Sequence, residues 1–309
     1  MPTPDPAFAW PPRRPAGNTQ EPAPSPVPRG VHGPNLQAAL ARRPAGWLSQ
    51  FERTWLDTTA PPLAERMTIE RWRPDVPGDY CWRCGQTLTD APPTANGCPA
   101  CEHTRPSWHR IVRLGSYDEP LRSWIHEIKF TQWRRLGTDL GRLLGAAAAD
   151  EIKRLKDSTG SEQVRAILSR PPMVVPMPTT FWRLAARGID HARTLSRGVA
   201  WAVGGQVVQP LRREHRPSQT EVAPSSRAVN VSRALRARSQ GRLGKLDGRL
   251  ILVVDDVTTT GSTLRSACRA LREGGVNPKE TLIWAAVAAV AGHAEGSERG
   301  TRAGDHPSA

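Results

Sequence analysis

The chain has 309 residues, 38% of them hydrophobic, with 30 prolines and a formal net charge of +14. That length allows one or two domains with a real hydrophobic core, and the absence of any run of roughly 20 apolar residues excludes a membrane-spanning helix. The charge points to a polyanionic partner, but with only five lysines among 43 basic residues its distribution says more than its total.

Residues 1–45 are proline-rich without an apolar period and read as a disordered arm. They lack the apolar middle of a signal peptide, so a cytoplasmic protein is expected. Residues 46–79 form a helical lead-in, with Trp47, Phe51, Trp55 and Leu56 at helical spacing. Residues 80–104 hold two cysteine pairs among turn formers. The main domain, 105–290, opens on "RIVRLGSY", which alternates like a strand, and continues into a helix with Leu121, Trp124, Ile125 and Ile128 on one face.

A second helix is predicted over about 136–156 and a short buried strand within Pro172–Pro178. The next helix opens at the threonines of "TTFW" and closes on Gly204-Gly205, and "QVVQPL" is a further strand candidate. Gln209–Lys245 reads as a long loop with one turn of helix near Ser232–Ala237. Residues 211–250 carry ten Arg or Lys against three acids, half the net charge of the chain. They fit a phosphate-rich ligand, a nucleotide or a nucleic acid, or simply a solvated basic loop. "RLILVV" is a buried strand, Thr263–Glu273 a helix closed by Gly274-Gly275, and "TLIWAAVAAV" the last strand before a polar tail, 291–309. Strands alternating with helices predict a mostly parallel sheet covered on both faces.

Cys81 and Cys84 are separated by two residues, as are Cys98 and Cys101. Two such turns complete a tetrahedron around Zn²⁺, and four thiolates leave no open position, so a structural site is expected. Trp82 and Trp108, beside Arg83, Arg105 and Arg110, either offer stacking faces for single-stranded DNA or cover the small metal core. Cys268, within the helix after the acidic pair, reads as buried.

The remaining chemistry lies in "VVDDVTTTGST". A phosphoacceptor domain needs a later strand-end Asp and a Lys beyond it, and the only later aspartate is Asp305. A nucleotide-binding G-x-x-x-x-G-K-[ST] loop is absent. The turn Thr259-Thr260-Gly261-Ser262-Thr263 leads straight into a helix, so backbone N–H groups, hydroxyls and the positive helix end converge on a site fit for one phosphate. Asp255 and Asp256 stand where adjacent sugar hydroxyls would donate to them. Phosphate plus diol specifies a ribose 5-phosphate.

This stretch resembles the signature of type I phosphoribosyltransferases. The quartet, "SYDEPLRSWIHEIKF", "VVPMP" with "ARG", "RPSQT" with "RAVN", and the acidic loop, in that order, resemble the ComF/GntX-type family over about 80–290. The resemblance implies an α/β fold, a type I phosphoribosyltransferase-like parallel sheet flanked by helices and preceded by a small four-cysteine zinc module. It implies 5-phosphoribosyl 1-pyrophosphate (PRPP) or a nucleotide carrying ribose 5-phosphate as ligand, with Mg²⁺, and a link to DNA uptake and its proteins. Asp255 and Asp256 then face the ribose, and Thr259 to Thr263 hold the 5-phosphate. Pro176, Met177 and Pro178 begin the pyrophosphate loop. Arg187, Gln219, Thr220, Arg227 and Lys129 match family positions around the pyrophosphate and a mobile flap, whereas Ile189-Asp190-His191 departs from the family's aromatic-Asn-Gln. Two readings stay open: a phosphoribosyltransferase with an unidentified base acceptor, and a non-catalytic adaptor that binds single-stranded DNA.

Overall fold

The computed structural model describes residues 61–88, 93–94, 96–103, 106–130, 134–179, 190–213, 235–238, 243 and 246–292. The 1–45 arm, the Trp47 helix and most of the tail lie outside the described residues. In chain order the elements are α1 (Leu63–Ile69), α2 (Pro99–His103), β1 (Arg110–Ser116), α3 (Leu121–Phe130), α4 (Arg134–Ser158), α5 (Glu162–Leu168) and β2 (Met173–Pro176). They continue as α6 (His191–Val203), β3 (Gln206–Val207), β4 (Leu211–Arg213), β5 (Leu235–Ala237), β6 (Leu250–Thr258), α7 (Ser262–Glu273) and β7 (Leu282–Val290).

Five strands form a parallel sheet in the order β1-β7-β6-β2-β3. Its central strands, β6 and β7, are apolar runs because both faces are covered. Leu250, Leu252 and Val254 face a layer containing α3, α4 and α6, while Ile251 and Val253 face α7 on the other side. This is the strand's two-residue period at work. Chain order reverses between β2 and β6, since β2 runs on through α6 to β3 while β6 runs on through α7 to β7. In an open parallel sheet that reversal leaves a crevice beyond the carboxyl ends of the two strands.

α3 buries Leu121, Trp124, Ile125 and Ile128, the face its spacing predicted. α4 and α6 cross at backbone contact. A Cβ on Gly141 would lie 2.2 Å from the Leu195 carbonyl oxygen, and one on Gly198 would lie 2.3 Å from that of Thr138. α5, which the sequence reading did not anticipate, is capped by Ser161, whose Oγ accepts from Val164 N–H at 3.3 Å.

Three expectations are corrected. α6 begins at His191, with the Asp190 carboxylate accepting from Arg193 N–H at 3.1 Å, so the cap is this aspartate and not the upstream threonines. Leu235–Ala237 is no helical turn: it pairs antiparallel with Leu211–Arg213, and the ribbon buries Leu211 and Leu235 against the α7 layer. β1 is not half-exposed. Arg110 and Arg113 are buried with their apolar neighbours, because Arg110 pairs with Glu151 of α4 and Arg113 meets the cysteine module.

Candidate functional site

The crevice is built by two strand ends of unequal length. β2 stops at Pro176, in register with Val254, and Met177 N–H makes the last bond to the Val254 carbonyl at 2.8 Å. Pro178 and Thr179 then lead away, partly buried. β6 carries on for four more residues, paired among the described residues only on its β7 side, where Asp255 stands opposite Val287 and Thr258 opposite Val290. The expected strand thus runs through the acidic pair instead of ending before it. Asp255 and Asp256 lie on the stretch of β6 that has lost its β2 neighbour, beside the expected Pro176-Met177-Pro178 turn.

Each carboxylate is fixed locally. Asp255 Oδ1 accepts from the N–H of Asp256 at 3.0 Å, and Asp256 Oδ1 accepts from that of Val257 at 2.7 Å. Alternation turns Asp256 toward the α3 side, where Lys129 Nζ meets its Oδ2 at 2.7 Å. The fold thus brings Lys129 to the acidic pair. Among the described residues, no cation meets an oxygen of Asp255 in this way. Burial and then the charge of Asp256 push its carboxyl well above the usual range, against the pull of Lys129.

Beyond Thr258 the chain turns through exposed Thr259 and Thr260 into Gly261, which has φ of 70° and precedes the first helical residue, Ser262. No side chain caps α7, so its first N–H groups point outward for an external acceptor. Gly261 is required twice: for the left-handed backbone, and because a Cβ there would lie 2.6 Å from Cη2 of Trp108.

The four cysteines form a second centre. Their sulfurs all lie within 4.8 Å of one another, with Cys81–Cys101 at 3.8 Å, Cys84–Cys98 at 3.6 Å and Cys98–Cys101 at 3.9 Å. A tetrahedron with Zn–S bonds of about 2.3 Å has edges of about 3.8 Å, so the donor set fits such an ion. Cys98 N–H also donates to Cys81 Sγ at 3.2 Å. Contacts from the Cys101 and Cys84 thiols hold Cys81 far below the usual thiol range, while contact with Cys81 pushes Cys101 up to about 12. The quartet can therefore hold a metal such as zinc. Cys268 is buried in α7, with its thiol pushed up to about 12 by that burial.

The module is seated on the edge of the sheet. Ile111 N–H donates to the Trp82 carbonyl at 2.9 Å, which covers the open side of β1. Buried Arg113 donates to the Gly85 carbonyl at 2.6 Å and to Thr87 Oγ1 at 2.9 Å, and it pairs with Asp75 at 2.6 Å. Trp108 is only 6% exposed and is no stacking platform for a strand. The Arg110 guanidinium lies 4.8 Å over the Trp82 ring. Arg187, Gln219, Thr220 and Arg227 lie outside the described residues, although the β4–β5 ribbon that frames 214–234 does not.

A phosphoribosyl transferase domain family matches residues 184–301, a span that contains β6, the threonine turn and α7. Competence protein F of Haemophilus influenzae is 29% identical over 207 residues, which cover 66% of this chain and 82% of that protein. DNA utilization protein YhgH of Escherichia coli (strain K12) is 28% identical over 204 residues, 63% of this chain and 78% of that one. The chain thus carries a phosphoribosyl transferase domain and is similar to ComF-type proteins. Among solved structures, the allosteric regulatory enzyme of purine biosynthesis aligns with 53% of this chain and 30% of its own at 16% identity and a TM-score of 0.29, too slight a likeness to argue from. No described helix is long and apolar enough to cross a membrane.

Proposed function

We propose that this ComF-type protein binds PRPP with Mg²⁺ in the crevice between β2 and β6, and acts in DNA uptake or DNA use within the cytoplasm. One observation carries the binding half: two carboxylates on the end of β6 that runs past β2 stand directly before a hydroxyl-rich turn and an uncapped helix N-terminus, at the point where strand order reverses. The DNA half rests on the relatives, which are named for competence and for DNA utilization.

In this reading the N–H groups and hydroxyls of Thr259 to Thr263 hold the 5-phosphate, and Asp255 and Asp256 accept from the ribose hydroxyls. Lys129 holds Asp256 in orientation. The turn Pro176-Met177-Pro178 lines the pyrophosphate side, with Arg187 near it and Gln219, Thr220 and Arg227 on the flap that the β4–β5 ribbon carries. Mg²⁺ bound with PRPP would offset the charge of its pyrophosphate. Zn²⁺ fills the quartet and stabilises the module on the sheet edge.

Calorimetric titration with PRPP and Mg²⁺ tests the reading: saturable binding by the wild-type chain is expected, and no binding removes it. A pyrophosphate-release screen across bases then separates the two forms of the proposal. Release assigns a transferase, and binding without release assigns a ligand-responsive adaptor. Single-stranded DNA affinity that falls steeply with salt would attach the basic 211–250 segment to the strand, whereas salt-independent affinity contradicts a phosphate-driven contact.

A further inference from the structure

Trp108 touches both centres at once. Its ring edge presses on Gly261, the residue at which the threonine turn enters α7, and its Nε1 donates at 2.9 Å to the carbonyl of Arg83, inside the Cys81–Cys84 turn. Arg83 also binds the second cysteine turn, with Nη1 donating to the Asn96 carbonyl at 2.7 Å. The segment holding Trp108 is clamped on either side. Arg272 of α7 donates to the Ser107 carbonyl at 2.5 Å, and His109 N–H donates to the Ile283 carbonyl of β7 at 2.8 Å. His109 Nδ1 accepts from Ile283 N–H at 2.9 Å, and burial lowers this imidazole to about 4, so the clamp stays neutral. The indole can shift only with the cysteine turn or with the loop.

We infer that Trp108 is a positioning residue that couples the geometry of the cysteine turn to the phosphate-binding turn, so that metal in the quartet sets the aim of the Gly261-Ser262-Thr263 N–H groups. The inference rests on the proposed phosphate role of that turn. The hydrogen bond fastens the ring to the metal turn at one end, and the glycine lets the threonine turn close on the ring at the other, so one rigid side chain spans the two. Coupling of this kind is reciprocal: what the metal does for ligand at the loop, ligand does for the metal site.

The test uses the full chain with Co²⁺ in the quartet, whose thiolate absorption bands report the metal geometry. Adding PRPP and Mg²⁺ to the wild-type chain should shift these bands in step with binding, and this arm needs no variant. Trp108→Phe keeps an apolar aromatic ring but removes both the donor and the outer ring edge that meets Gly261. It should leave the starting bands nearly intact, weaken PRPP binding by about five- to tenfold, and abolish the band shift. Hydrogen exchange without ligand is the independent arm. The 259–263 amides should exchange at least about fivefold faster in Trp108→Phe than in wild type, with the β7 amides unchanged. Unmoved bands in a wild type that binds PRPP overturn the coupling, as do equal shifts in the variant. If PRPP does not bind at all, the proposed ligand fails, and exchange alone decides: equal exchange in both chains overturns the link, and faster exchange confined to 259–263 upholds it.

Discussion

Asp255 sits where burial and a neighbouring carboxylate oppose its charge, which costs stability at neutral pH. Burial and the Asp256 charge raise its carboxyl well above the unfolded value, so between the two values the folded chain holds a proton that the unfolded chain has released. Its contribution to stability is full below the unfolded value, about 3.9, and is lost as pH rises through the folded one. Ribose binding needs the ionised form and follows the opposite trend, weakening as pH falls through the same value. Asp255→Asn should therefore raise Tm at pH 7.5 by about 2–4 °C, the shift for roughly 1 kcal/mol in a domain of this size. It should flatten this part of the pH profile while PRPP affinity drops; thermal melts at pH 5 and pH 7.5 on both chains check the sign. Gly261→Ala works the other way. It forces a side chain into φ of 70° and against the buried Trp108 ring, and should cost about 2–4 kcal/mol by chemical denaturation.

The crossing of α4 and α6 holds the layer from which α3 presents Lys129. Gly141 and Gly198 meet the opposing backbones too closely for any Cβ, so Gly198→Ala must separate the helices. A loss of about 2–4 kcal/mol is expected, with partial loss of the Lys129–Asp256 contact, read by denaturation and by PRPP affinity. The helices and strands themselves were legible in sequence wherever burial imposed a clean period, as in α3, β6, α7 and β7. The acidic loop was legible because its residues are contiguous. What escaped were features made by contact between distant segments. Nothing local at Gly141 or Gly198 signals which helix each meets, and β1 looked half-exposed because nothing local announces that α4 and the cysteine module cover Arg110 and Arg113. Lys129 and Asp256 are 127 positions apart, and only the fold brings them to 2.7 Å. Trp108 was legible as a neighbour of the cysteines but not as the wall of the phosphate turn.

Across the whole molecule, the cysteine module closes one edge of the sheet and reaches the candidate site through Trp108, so it is part of the main domain's packing. Stripping the metal with a chelator should lower Tm by about 5 °C or more and broaden the transition, because the turns that hold Gly85 and Trp82 against β1 lose their centre. An unchanged melt would show that the quartet does not stabilise the fold. The central claim is that the end of β6 and the turn after it hold a ribose 5-phosphate. Its most direct test is calorimetry with PRPP and Mg²⁺ on the wild-type chain and on the Asp255→Asn/Asp256→Asn double variant, side by side. The account predicts saturable binding by the wild type and a loss of at least about tenfold, some 1.4 kcal/mol, in a variant that still melts cooperatively. Equal affinity in the two chains would contradict it.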